Sequence, residues 1–369
     1  MKRIIVAFVI FLCFLGCGQA SAEEIDINDI YSEQFKASGA DDLSDSLPDD
    51  VREKLDEIDI SSSDISWAEY FTPQNIFQNM WSFIKGGGKR PFSALVSLLA
   101  VLLFSTAVEG FYSENKTVKY VVSLGVTAVV VLPVASTVNA CVSAVSSAGV
   151  FMFSFVPVFA AILVSRGKSV TAAGFSTVML AVSQGVTSLC SFCLAPLTGM
   201  QLGLSVAGST LQDINIGSIG NAIKKASMWT LSLASTVLLG VLGIQTVVGG
   251  ATDTLTSKTA KFVLGTALPV VGTTVSEALN TVRGCVKLLG TSVAVYGIVA
   301  LVLLILPTII ELLLWRISLL LGSSAAEMLG QAKAVSLIRS VDAAVSFILG
   351  VMILVGVLFI ISLTVVAVV

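Results

Sequence analysis

Apolar runs that approach or exceed the ~20 residues needed to cross a hydrocarbon core as a helix recur along most of this chain. They read as roughly residues 92 to 112, 118 to 140, 144 to 164, 170 to 192, 194 to 210, 226 to 248, 288 to 310 and 343 to 369. Two weaker candidates, 262 to 282 and 311 to 330, contain charges. Composition agrees: 55% of the 369 residues are hydrophobic and 12% charged, against about 25% charged in a soluble domain, and mean hydropathy is +0.94. The expected fold class is all-α, a polytopic α-helical membrane protein with about seven to ten membrane helices, some broken or amphipathic.

The N-terminus reads as a cleavable secretory signal peptide over residues 1–22. Met1-Lys2-Arg3 precede the apolar run from Ile4 to Leu15, and Ala20-Ser21-Ala22 supply small residues at the cleavage-site spacing. Phe14-Leu15-Gly16-Cys17 is a weaker match to a lipoprotein signal, because phenylalanine fits its first place poorly. Residues 23–91 form a small acidic exported segment. Sixteen of the 24 carboxylates fall between Glu23 and Glu69, against three basic residues, a solvated composition. A helix is expected from Pro48, with Val51, Leu55 and Ile58 on one side. Too few large apolar residues accompany it for an independent core, so it is expected to be ordered by partners or to stay mobile. The segment ends in an amphipathic interfacial helix opened by Thr72 and Pro73, with Ile76, Phe77, Met80, Trp81 and Ile84 on its apolar face. Residues 92–369 are the polytopic membrane domain.

Orientation is read from basic residues, which collect in cytoplasmic connections. With the cleaved N-terminus outside, the inside connections are 113 to 119, 165 to 169, 211 to 225, 283 to 287 and 331 to 342, each holding at least two Lys or Arg. Lys258 and Lys261 fall on the outer side and break the pattern. Pro157, Pro269 and Gly272 are expected helix breaks, tolerated where neighbours or water satisfy the freed carbonyls. Gly199, Gly203 and Ala207 form a small-residue ridge suited to helix packing.

The stretch LPVVGTTVSEALNTVRG, residues 268 to 284, differs from its surroundings. At about 100° per residue, Thr273, Ser276, Glu277, Asn280 and Gly284 share one side, while Val271, Val275, Leu279 and Val282 cover the other. A carboxylate in such a stripe is costly against lipid, so the stripe faces an aqueous path, a helix contact inside the bundle, or the membrane surface. Glu109, Glu311, Arg316 and Glu327 are read as charges at helix ends.

Catalytic patterns fail one by one. With no histidine in the chain, a Ser-His-Asp triad and an H-E-x-x-H site are excluded. Arg166-Gly167-Lys168-Ser169 lacks the upstream glycine of a phosphate loop. Asp213, Asp253 and Asp342 are placed in connections and do not converge. Cys190 and Cys193 form a C-x-x-C in an apolar helix with no second pair, which favours packing over metal or redox chemistry. No catalytic residue, metal, cofactor or nucleic-acid partner is expected.

Gly243-Ile244-Gln245-Thr246, Asp253, Thr259-Ala260-Lys261-Phe262, Gly265, Pro269-Val270-Val271-Gly272 and the run Ser276 to Cys285 together resemble the stage III sporulation protein AE family. The similarity continues through Gly297, Pro307 and the last span, and upstream through Phe155-Val156-Pro157 and Ala195-Pro196-Leu197. Glu277 stands where that family usually has Asp, and Gly290-Thr291 where it has Lys-Asn. The resemblance implies a non-enzymatic multi-pass subunit of the channel-like, secretion-like complex linking mother cell and forespore, needed for forespore development and late forespore gene expression. It would sit in the mother-cell membrane around the forespore, its acidic segment in the intermembrane space. Implied partners are the other stage III sporulation A subunits, including a cytosolic ATPase and ring-forming proteins, and indirectly the forespore stage II sporulation protein Q. Two rival readings are an autonomous secondary transporter with broken helices at Pro157 and Pro269, and a structural scaffold anchoring ring-forming partners.

Overall fold

The computed structural model describes residues 33, 35–57, 87–111, 116–210 and 272–368, with scattered positions between 222 and 243. The signal peptide, the interfacial helix and Pro269 lie outside the described residues, as does most of the expected 226 to 248 span. Among the described residues every regular element is helical: a 3-10 turn Asp41–Ser46, α1 (Asp49–Glu57), α2 (Lys89–Phe111), α3 (Lys116–Ser165), α4 (Ser169–Leu189), a π turn Cys190–Leu194, α5 (Ala195–Thr210), α6 (Gly272–Met328) and α7 (Ala332–Val368). Five helical stretches among the described residues are long and apolar enough to cross a membrane: Lys89–Val108, Ser123–Ser165, Ser169–Ala207, Val286–Met328 and Ala332–Thr364.

Two helices are far longer than one crossing. α3 has 50 residues and α6 has 57, lengths of about 75 and 85 Å at 1.5 Å per residue. Each ends in the same way. Gly167 adopts φ 78° and Gly330 φ 71°, the left-handed conformation that glycine takes without a Cβ clash. Lys168 N–H donates to Leu163 O and Gly167 N–H to Val164 O. Gln331 N–H donates to Ala326 O and Gly330 N–H to Glu327 O. Both are Schellman closures, which satisfy the last helical carbonyls and turn the chain back. Two hairpins result: α3 against the α4–α5 run, and α6 against α7.

The hairpins pack on each other through α3 and α6. A Cβ on Gly297 would collide with the Phe155 ring, so glycine there lets the two helices approach. Phe151, Phe155 and Phe159 follow at one-turn spacing on α3 with ring centroids 5.6 and 5.5 Å apart, and Phe175 of α4 meets Phe159 edge-on at 5.7 Å. All four are buried. α2 lies beside both α3 and α6, and α5 packs on α7.

Several expectations change. The spans 118 to 140 and 144 to 164 are one helix, and α3 continues through both Pro133 and Pro157, so Pro157 is not a break. The spans 288 to 310 and 311 to 330 are likewise one helix with Pro307 inside it. The spans 170 to 192 and 194 to 210 form a single helical run through the π turn. Extra residues per turn at a π turn rotate the helix face without a reversal. The alternation of basic connections fails with them, because the connections 113 to 119 and 165 to 169 stand at opposite ends of α3. Gln331, in the α6–α7 turn, bonds Leu102, Ser105 and Thr106 of α2, so that turn shares an end with Lys116 and Lys119. Arg166, Lys168 and Lys287 gather at the other.

Residues 35–57 of the acidic segment do find a core within their own chain. Leu43, Leu47, Val51 and Leu55 are buried in the same core as α3 and α6. Gly39 lies against Val158, the 3-10 turn packs on α3, and α1 packs on α6. Arg52 ties the turn to the helix by bonding Ser44 O at 3.1 Å and pairing with Asp45 at 3.3 Å.

Candidate functional site

α6 is described from Gly272 onward. Thr273, Ser276, Glu277 and Asn280 lie in its first turns, and their side chains fall outside the description. Gly284 is exposed, with open space where a Cβ would stand. Gly199 and Gly203 are exposed on α5 and touch nothing within 4 Å in the same sense. The contact face of α5 is instead the buried set Thr198, Gln201, Leu202 and Ser205, so the expected ridge makes no helix contact at 199 or 203 among the described residues. Ala207 is half-buried.

The groups that the structure does bring together are charges the sequence reading had left at helix ends or in connections. Arg316 lies in the C-terminal third of α6, and its Nε donates to Asp342 Oδ1 of α7 at 3.3 Å. Asp342 is inside α7, not in a connection. Nearer the turn, Arg339 of α7 pairs with Glu327 of α6. Leu313, Arg316, Leu320, Ser324 and Glu327 are all exposed, and their spacing of three to four residues makes one helix face. The α6–α7 hairpin therefore carries an outward stripe on which ion pairs alternate with leucines.

Energetics limit what this stripe can face. The Arg316 and Asp342 side chains are 45% and 33% exposed. An ionised Arg or Asp at the centre of a bilayer costs about 2.5–3.5 kcal/mol on insertion scales, whereas an exposed pair in water gains about 0–1 kcal/mol. The stripe is thus stable against water or protein and unstable against acyl chains.

A second polar point lies where the hairpins cross. Thr137 Oγ1 is 3.1 Å from Glu311 Oε1 and 3.3 Å from Pro133 O, so its proton serves one of the two at a time. Pro133 and Pro307 each precede the bonded residue by one turn. Gly87 approaches Glu311 closely. Ser205 and Ser340 share a 2.6 Å hydrogen bond between α5 and α7. Cys190 and Cys141 line an apolar cavity of about 20 Å³ with Val138, Val145, Thr198 and Met352. Among the described residues no group of three or more Cys, Asp and Glu could hold a metal ion.

The sequence comparisons agree with the resemblance noted above. Residues 59–369 match the family model described as stage III sporulation protein AE. The chain is 23% identical over 303 residues to the stage III sporulation protein AE of Bacillus subtilis (strain 168), covering 80% of this chain and 76% of that one. No solved structure matches. The chain belongs to the stage III sporulation protein AE family.

Proposed function

We propose that this chain is a non-enzymatic, multi-pass membrane subunit of the channel-like complex that joins mother cell and forespore, needed for forespore development and late forespore gene expression. It sits in the mother-cell membrane around the forespore, with its acidic segment in the intermembrane space. Its partners are the other stage III sporulation A subunits, including the cytosolic ATPase and ring-forming proteins, and indirectly the stage II sporulation protein Q. The observation that carries the reading is the ion-paired stripe on α6 and α7. Charges held outward on helices of this hydropathy are compatible with an assembly that covers them with protein or water. The stripe of Thr273, Ser276, Glu277, Asn280 and Gly284 is the companion candidate for a conduit lining or a helix contact.

Single cysteines placed in a cysteine-free background and probed with a membrane-impermeant maleimide in sporulating cells test this. Labelling at positions 273, 276, 277, 280, 284 and 316, with none at 275, 279 and 282, is expected. Labelling of both faces alike, or of neither, counts against a lining. In the scaffold reading, Glu277→Gln and Arg316→Gln proteins that insert stably support normal sporulation. In the conduit reading they do not.

A further inference from the structure

Three contacts fix the height of α2 along the bundle. Gly87 lies against Glu311, Leu98 against Gly322, and Ser105 bonds Gln331 in the α6–α7 turn. α2 is thus level with residues 311 to 331. It carries no charge from Pro91 to Val108, about 27 Å of helix against about 30 Å of hydrocarbon core. Phe92, Val96, Leu103 and Phe104 point outward from it, and Leu124 and Leu132 of α3, which stand at the same height, are also exposed. Lys89 and Arg90 are exposed at one rim of this belt and Lys333 at the other. The α6–α7 ion pairs share its height, on the side of α6 turned away from Gly322, and keep their need of water or protein.

The acidic segment docks at a different height. Gly39 lies against Val158, and the charges of Asp45, Arg52 and Asp56 reach Tyr296. Tyr296 precedes Glu311 by 15 residues on α6, about 22 Å. Thr137 is bonded to Glu311, and Val158 lies about 32 Å further along α3. The seven carboxylates from Asp41 to Asp56 are all exposed, a load that hydrocarbon does not accept. A core of about 30 Å cannot take in both heights, so it takes the apolar belt and leaves out the charged segment. Val150, Phe153 and Val357 stay exposed beyond the belt, surface that protein neighbours rather than lipid would cover.

We propose that acyl chains surround the bundle only at the height of α2, between Glu311 and the Gly330 turn, and that α4 with the adjoining ends of α3 and α6 stands outside the bilayer as a stalk clasped by the acidic segment. The turn at Gly167 with Arg166 and Lys168 then faces the same side as that segment, opposite to the side that its basic residues suggest. Only the naming of that side rests on the export proposed above; the height of the belt does not.

The full-length chain carries single cysteines at exposed sites in a cysteine-free background, each variant checked for folding by circular dichroism. Nitroxide labels on Phe104→Cys, Leu132→Cys, Glu53→Cys and Val164→Cys are read in phosphatidylcholine discs by collision with oxygen, which concentrates in hydrocarbon, and with a water-soluble nickel chelate. Labels at 104 and 132 should favour oxygen several-fold more than labels at 53 and 164. An impermeant maleimide applied to right-side-out and inverted membrane vesicles reads the sides: Glu53→Cys and Ser165→Cys should react together from one side and Lys333→Cys from the other. Oxygen preference at 164 equal to that at 104, or nickel preference at 104, overturns the proposal. So does reaction of Ser165→Cys from the side of Lys333→Cys. Reaction of Glu53→Cys and Ser165→Cys together from the cytoplasmic side supports the stalk and removes instead the export of the acidic segment.

Discussion

Neutralising Asp342 measures what the α6–α7 stripe faces. Arg316 and Asp342 meet through one contact at 3.3 Å, with side chains 45% and 33% exposed. Coulomb's law at that separation gives about 1 kcal/mol in water and about 5 kcal/mol at an effective dielectric of ~20. The exposure of both partners and their single-point geometry place the net value near the lower figure, about 1 kcal/mol or less. If the same pair lay against lipid, Asp342→Asn would strand Arg316 without its partner and cost about 3 kcal/mol. A double-mutant cycle of Arg316→Gln and Asp342→Asn, read as unfolding free energy in mixed micelles and again in lipid discs, separates the two. A coupling of about 1 kcal/mol or less in both media is expected. A coupling of about 3 kcal/mol in discs, or an Asp342→Asn protein that inserts only when Arg316→Gln is also present, refutes the wetted or protein-covered stripe. The swapped pair Arg316→Asp with Asp342→Arg should restore whatever function the single changes lose.

Two further outcomes follow from the turns and from the docked segment. Gly330→Ala and Gly167→Ala force a Cβ into left-handed backbone and should each cost about 1 kcal/mol in the same unfolding assay; neutral variants would mean that the Schellman turns are not held as described. Val51→Asp puts a charge into the buried face of α1 and should speed proteolysis within residues 35 to 57 while α3 and α6 stay protected; unchanged protection would count against docking of the acidic segment on the long helices.

The helical character of the chain was legible because apolar runs of this length have few other solutions. Where helices end was less so. Gly167 and Gly330 stand among Arg, Lys and Gln, so their turns carry a local signal. The stretch from Ala140 to Ala144 has no glycine, proline or charge, and cutting it there followed bilayer thickness rather than chain chemistry. Proline misled for a related reason: Pro133, Pro157 and Pro307 each cost a backbone bond, but helices packed on both sides hold their course through them. The Arg316–Asp342 pair was hidden by a separation of 26 residues. It becomes readable once Gly330 is recognised as a hairpin turn nearly equidistant from the two. The stripe beginning at Thr273 is a pattern of the sequence, and what its side chains touch lies outside the described residues. The apolar spacing of Val51 and Leu55 marked a buried face, but not that α3 and α6 would be what buried it.

The length of α3 has a practical sequel. Its apolar stretch from Ser123 to Ser165 has 43 residues, about 65 Å of rod. Even at a steep tilt of about 40°, a bilayer conceals only about 40 Å of it. A detergent micelle can stretch to wrap the excess, whereas a disc of fixed height cannot. Purified copies moved from one to the other should therefore cluster, shielding with one another the greasy height that the disc leaves bare.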